Sequence, residues 1–208
     1  MGQFVPKRRF IVATIRAYQK QDFRFVQDIC METSVYGADC SAIERAQLCA
    51  LYCDYYLDNQ GETCFVAEED GKVVGYVLCA PDVDDYQEKM HDVYMPLVKK
   101  LNSGEFYRMA AENKIQQRYI HAGYTAHLHV NVTADYQGKG IGSQLIATLL
   151  EKLKSMYVEG VRLIVARKNQ RACNFYAKNG FEDIDYITNC VVYGKKLFVE
   201  DDEAAQNE

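Results

Sequence analysis

The sequence predicts one α/β domain built on a mixed central sheet, and three observations carry that prediction. Strand and helix patterns follow one another in the order strand, helix, helix, hairpin, helical insertion, strand, helix, strand, helix, strand, strand. The early strands meet through a tight turn and are therefore antiparallel, whereas the later strand–helix–strand unit returns the chain in a parallel sense. Apolar residues make up 49% of the 208 residues, enough for a full core, and no linker splits the chain.

The elements follow in order. "FIVATIRAY" alternates as a strand, and "QDFRFVQDICMET" places Phe23, Val26, Ile29 and Cys30 at helical spacing. "SAIERAQLCALYCDYYLD" reads as a second helix opened by Ser41 and Glu44, a capping-box pair. In "TCFVAEEDGKVVGYVLCAP" two β-rich runs flank "EEDGK" and stop at Pro81, a hairpin signature. From 83 to 101, Tyr86, Met90, Val93, Leu97 and Leu101 recur at helical spacing, with Pro96 as a kink or break. Residues 105–118 are polar and read as a further helix. "TAHLHVNV" is a strand. Over 139–157, Ile141, Leu145, Leu149 and Leu153 form an i, i+4 stripe. "VRLIVA" is a strand, 169–179 a helix, and "FEDIDYI" and "CVVYGKKLFV" close the chain as strands. The expected organisation is a single domain over 1–199, with 82–123 as a helical insertion and 200–208 as an acidic disordered tail.

The net charge of −5 comes from that tail, whose five acids meet no base; 24 acids and 24 bases remain elsewhere. A neutral body lacks the basic footprint of a nucleic-acid binder. No apolar run approaches the ~20 residues of a membrane span. "FIVATI" is too short for a secretory core, and Pro6 stands where a myristoylation signal has Ser or Thr. The expectation is a cytoplasmic protein with no nucleic-acid or membrane partner, as a monomer or homodimer. Its eight cysteines contain no C-x-x-C pair, which argues against a zinc site and for reduced thiols.

The densest signal is "ADYQGKGIGS", three glycines in five residues between a strand and a helix. A helix start offers unpaired N–H groups and a positive dipole end, and glycines let an anion come close to them. A dinucleotide turn needs G-x-G-x-x-G, whereas "GKGIG" runs G-x-G-x-G, and only 66 residues follow Gly142. A P-loop needs Gly-Lys-Ser/Thr at its end. A coenzyme A pyrophosphate site is the third reading.

"YQGKGIG" resembles the Q/R-x-x-G-x-G/A signature of the GNAT superfamily of N-acetyltransferases. "NQRACNFYAKNGF" is similar to the same superfamily's N-x-x-A-x-x-F-Y-x-x-x-G-F segment, one strand further on. The likeness covers most of 10–195. "CDYY", "GYVLCAPD" and "AHLHVNV" look closest to bacterial GNAT proteins related to the acetyltransferase-like C-terminal domain of bridging O-GlcNAcases. The resemblance implies a GNAT fold, acetyl-CoA as cosubstrate, no metal, and direct acetyl transfer to a primary amine of a small molecule or an exposed amino group. It implies backbone contacts from Val132 to the pantetheine arm. It also implies a pyrophosphate cradle over Gln137, Gly138, Lys139, Gly140, Ile141, Gly142 and Ser143, with Asn169 and Phe175 along the channel and Tyr176 near the sulfur.

Direct transfer needs an amine without its extra proton and a donor for the departing thiolate. A phenol with a reference pKa of ~10 is protonated at neutral pH, so Tyr176 is the candidate acid. Alternation places His127, His129 and Asn131 on one strand face. Asn131 stands where relatives carry an acid, and an amide cannot act as base. His129 is the candidate base, with a base acting through water as the alternative. His127 and His129 also suit a metal, but no third ligand is evident. Tyr55, Tyr56, Tyr86 and Tyr94 are candidates to line an acceptor cavity. The rival function is a non-catalytic acyl-CoA-binding module, motivated by Asn131.

Overall fold

The computed structural model describes residues 13–34, 40–99 and 118–198. The segments at 1–12 and 200–208 lie outside the described residues, as does all but the last position of the helix expected at 105–118; a helical turn runs over 118–121. The chain runs β1 (Thr14–Ala17), α1 (Phe23–Glu32), α2 (Ala42–Cys49), α3 (Tyr55–Asn59), β2 (Phe65–Glu69) and β3 (Lys72–Ala80). It continues with α4 (Val83–Lys89), α5 (Met95–Lys99), β4 (Ala126–Val132), α6 (Ile141–Ser155), β5 (Gly160–Ala166), α7 (Gln170–Lys178), β6 (Glu182–Ile187) and β7 (Cys190–Lys196).

Seven strands form one sheet in the order β1-β2-β3-β4-β5-β7-β6. Every neighbouring pair is antiparallel except β4 and β5, which α6 joins in parallel. The β2–β3 hairpin turns on Asp70 and Gly71, both with positive φ, at 48° and 78°. That is the backbone a tight two-residue hairpin turn demands, and Asp-Gly supplies it cheaply.

The sheet separates two cores. On one side α6 buries Ile141, Leu145, Leu149 and Leu153, the predicted stripe, against Val77, Cys79, Leu128 and Val132. On the other side α1 to α5 bury Val26, Ile29, Tyr55, Tyr56, Met90 and Val98 against Tyr76, Leu78 and Ala80. Adjacent residues of β3 thus serve opposite cores, as strand alternation requires.

The helix expected over 41–58 begins as anticipated. Ser41 Oγ accepts from the Glu44 N–H at 3.2 Å, and Glu44 Oε2 accepts from the Ser41 N–H at 2.8 Å. It then widens into a π turn at Ala50–Asp54 before α3. A second π turn, Met90–Tyr94, separates α4 from α5. Pro96 follows it and has no N–H to give the Asp92 carbonyl, so the ladder changes register there instead of breaking.

One feature of the sheet opens the site. β4 and β5 share only two register pairs, Ala126 with Val161 and His127 with Arg162. Beyond them the two strands diverge, while β4 stays paired to β3 as far as Val132. The β5-facing backbone groups of Leu128 to Val132 are thereby released from the ladder, and such groups require other partners.

Candidate active site

A cleft of about 590 Å³ opens where β4 and β5 part. Its floor is Val130, Asn131 and Val132; one wall is the turn before α6, the other is α7. Gln137 closes the strand end, its Nε2 donating to the Val132 carbonyl at 2.7 Å.

The glycine turn has the geometry of an anion cradle. Gly138 and Gly140 both take left-handed backbone, with φ of 76° and 83°, a conformation that side-chain-bearing residues adopt only under strain. A Cβ added at Gly138 would meet nothing within 4 Å, and one at Gly140 only the tip of Gln144. The glycines therefore serve the backbone path and leave open space before it. Gly140 is the N-cap of α6 and its carbonyl accepts from the Gln144 N–H at 3.1 Å, which fixes the helix start. Gly142 has a different reason: a Cβ there would stand 3.1 Å from the Phe175 ring. It lets α6 and α7 close on each other.

On α7, Asn169 is the N-cap, its Oδ1 accepting from the Ala172 N–H at 3.1 Å. Phe175 and Tyr176 follow on the buried side. Tyr176 is 7% exposed, and its ring meets Phe175, Phe181 and Tyr193 at centroid distances of 5.1, 5.7 and 5.9 Å. Burial pushes its phenol above the usual tyrosine value, so it remains protonated and able to donate.

The cleft gathers Val132, Gln137, Gly138, Gly140, Gly142, Ser143, Asn169, Phe175 and Tyr176 of the residues expected from sequence. Ile141 is absent from the lining; its side chain is 2% exposed within the core beneath α6, leaving only its backbone toward the turn. Lys139 also lies off the lining, with Nζ 4.8 Å from the centre of the Tyr136 ring.

His129 does not line the cleft. Its ring is half-buried and meets the edges of Tyr52, Tyr56 and His127 at centroid distances of 5.7, 5.4 and 6.3 Å. Alternation on β4 holds: His127 and His129 share the helical face, and Asn131 donates from Nδ2 to Tyr76 Oη at 2.8 Å on that side. His127 is 7% exposed, with Nε2 at 2.6 Å from Tyr56 Oη. Burial, then the charge of Arg162 and the neighbouring His129, hold its pKa well below the usual imidazole value, so it is neutral at physiological pH. The four tyrosines expected around an acceptor cavity are core residues instead. Tyr55 and Tyr56 are fully buried, Tyr86 and Tyr94 nearly so; Tyr55 meets the other three edge-on at 4.9 to 6.0 Å, and Tyr56 and Tyr86 lie tilted at 6.1 Å.

The sequence reading did not find Arg171, Asn174 and Lys178, which line the cleft. Arg171 and Lys178 lie four residues before and three after Phe175, and Asn174 lies three from Arg171 and four from Lys178, so the face was available once Phe175 was assigned. Glu32 and Thr33, at the end of α1, also reach the cleft. Nothing local in the sequence marks them, because only the folding of α1 across β4 brings them there. Among the described residues, no group of three or more His, Cys, Asp or Glu is placed to hold a metal ion, and no helix is long and apolar enough to cross a membrane.

A diverging parallel strand pair, a glycine turn on a helix N-terminus and a buried tyrosine thus meet in one cleft. The sequence profile described as the Acetyltransferase (GNAT) family matches residues 25–181, and the chain belongs to that family. An acetyltransferase of Pectobacterium atrosepticum is 28% identical over 124 residues, 57% of this chain and 84% of that protein. Among solved structures, SsHAT superposes with a TM-score of 0.76 at 26% identity, covering 90% of this chain and 99% of the other. The PaiA N-acetyltransferase of Thermoplasma acidophilum, in complex with coenzyme A, shares the fold with a TM-score of 0.56 at 16% identity, covering 89% and 99%. The activity of the family is acetyl transfer from acetyl-CoA.

Proposed function

We propose that this protein is a cytoplasmic N-acetyltransferase that moves acetyl from acetyl-CoA directly to a primary amine, carried by a small molecule or an exposed amino group. The observation that carries the reading is the alignment of three parts along one cleft. These are the open glycine turn, the released strand edge at Val130–Val132, and Tyr176, all in its lining.

The residues fit coenzyme A. The amides of Gln137 to Ser143 would take the pyrophosphate at the positive end of α6. The unpaired edge of β4 would take the amides of the pantetheine arm, and Asn169 and Phe175 would bound the channel. Acetyl-CoA supplies an acetyl group activated as a thioester. The amine nitrogen bonds to the acetyl carbon as the carbon–sulfur bond breaks, and Tyr176 gives its proton to the departing sulfur. The proton lost by the amine passes to a water and through it to His129, which stands two residues from Asn131 on the same strand face but off the cleft lining, and the phenolate left on Tyr176 regains its proton from solvent. Asn131 itself has no basic function and binds by hydrogen bonding. The kinship with bacterial proteins related to O-GlcNAcase C-terminal domains belongs to this reading and rests on "CDYY", "GYVLCAPD" and "AHLHVNV".

Tyr176→Phe tests the assignment. Thiol release measured over a panel of primary amines should show kcat lowered by ~10²-fold or more, with coenzyme A affinity nearly unchanged. Turnover within a few-fold of wild type would remove Tyr176 as the acid. A wild-type protein that binds coenzyme A but releases no thiol with any amine would leave the acyl-CoA-binding module as the better reading.

A further inference from the structure

The charged side chains that line the cleft among the described residues are divided by sign between the elements of the sheet's two faces. Arg171 and Lys178 stand on α7, the wall opposite the glycine turn and on the same face of the sheet as α6. Glu32 stands alone at the other side, as the last residue of α1. There the α1 dipole presents its negative end, and a helix C-terminus favours cations within its last turn.

The polar floor beside this end has the same sense. Asn131 spends its Nδ2 on Tyr76 Oη at 2.8 Å, and Tyr76 is fully buried directly across from it in the β3–β4 register. An amide so held turns its Oδ1, an acceptor, away from Tyr76. The acceptor end therefore offers a carboxylate, an amide oxygen and a helix C-terminus, all of which complement hydrogen-bond donors and positive charge.

We infer that Glu32 is a specificity residue that selects acceptors carrying a second positive charge, a diamine or polyamine, with Asn131 oriented by Tyr76 to accept from the same ligand. This rests on the amine-acetyltransferase reading above. One amino group of the acceptor loses its proton and reacts; the other stays an ammonium group and pairs with Glu32. The opposite polarity at the α7 end repels such a cation and thereby sets the direction in which it enters the cleft.

Three acceptors of equal chain length separate charge from size: 1,4-diaminobutane, n-butylamine and 4-aminobutanoate. Wild-type kcat/KM should fall in that order, with the difference mostly in KM. Glu32→Gln should narrow the ratio between the diamine and n-butylamine by about threefold to fivefold, the scale of a solvent-exposed ion pair. Glu32→Lys should shift the order toward 4-aminobutanoate. The diamine KM should rise with salt in wild type and far less in Glu32→Gln. A flat or reversed order in wild type, or a full ratio retained by Glu32→Gln, overturns the assignment while leaving the acetyltransferase reading intact. Should no amine be turned over, that reading fails first, and the coenzyme A complex still decides this one. Its melting temperature must rise with 1,4-diaminobutane in wild type and not in Glu32→Gln, and the absence of any rise in wild type overturns the inference.

Discussion

Asp22 sits 2% exposed between β1 and α1, with its oxygens 2.6 and 2.9 Å from the Arg16 guanidinium and the Gln19 N–H on Oδ2 at 2.9 Å. Burial alone would raise its pKa; the Arg16 hydrogen bond, the Gln19 N–H and the Arg16 charge outweigh burial and hold it below the usual value. A carboxyl depressed in the folded state contributes stability above its unfolded pKa of ~3.9 and loses it as pH falls through the lower folded value. Asp22→Asn should therefore cost about 1.5–3 kcal/mol at pH 7, the worth of hydrogen bonds to a charged group. Urea midpoints should show the gap to wild type closing as pH drops below about 4; a gap constant with pH would refute the account. This ion pair was invisible in the sequence, where Arg16 and Asp22 were only a strand residue and a helix residue. The site residues behaved differently. The place of Asn169, Phe175 and Tyr176 in the cleft lining was legible because a short motif carries them and its spacing survives folding, whereas that of Glu32 depends on a long-range crossing of α1 over β4.

At the scale of elements, period carried most of the information. The i, i+4 stripe of α6 is buried as its spacing demanded, and alternation divides β3 between two cores. Two things escaped the pattern. The π turns at Ala50–Asp54 and Met90–Tyr94 are changes of hydrogen-bond register inside continuous helical sequence, and hydrophobic period does not report register. The divergence of β4 from β5 is likewise a property of pairing, and each strand alone reads as an ordinary apolar run. Four tyrosines were candidates for a cavity because their types suit one as well as they suit ordinary packing, and they fill the core under α3 and α4. Leu149 is fully buried at the middle of α6, facing the sheet. Leu149→Ala should lower stability by about 2–5 kcal/mol, the transfer term plus the void left behind. Denaturant unfolding with an unchanged m-value measures it, and a loss under about 1 kcal/mol would mean that α6 collapses onto the sheet to fill the space.

The whole molecule couples cofactor binding to folding, because the cleft exists only while α6, α7 and the diverging strands are all in place. Coenzyme A at ~100 times its Kd should add ~2.7 kcal/mol to the folded state, since the unfolded chain has no such cradle. For a domain of this size each kcal/mol raises Tm by ~2–4 °C, so the shift should be on the order of 5–10 °C. NAD at the same concentration should protect much less, because the G-x-G-x-G spacing lacks the dinucleotide pattern. Gly140→Val should abolish the shift: its φ of 83° suits glycine, and a branched side chain would enter the open space before the turn. That variant also lowers the unliganded Tm through backbone strain of about 1–2 kcal/mol, so the quantity to read is the shift, not the Tm itself. Leu149→Ala supplies the control. It weakens the core beneath α6 without touching the cleft lining, so it should melt earlier and keep the full coenzyme A shift. If Leu149→Ala lost the shift as completely as Gly140→Val, cofactor protection would track general stability rather than the cradle. If NAD protected as well as coenzyme A, the glycine turn would be a phosphate site without preference for the acyl carrier.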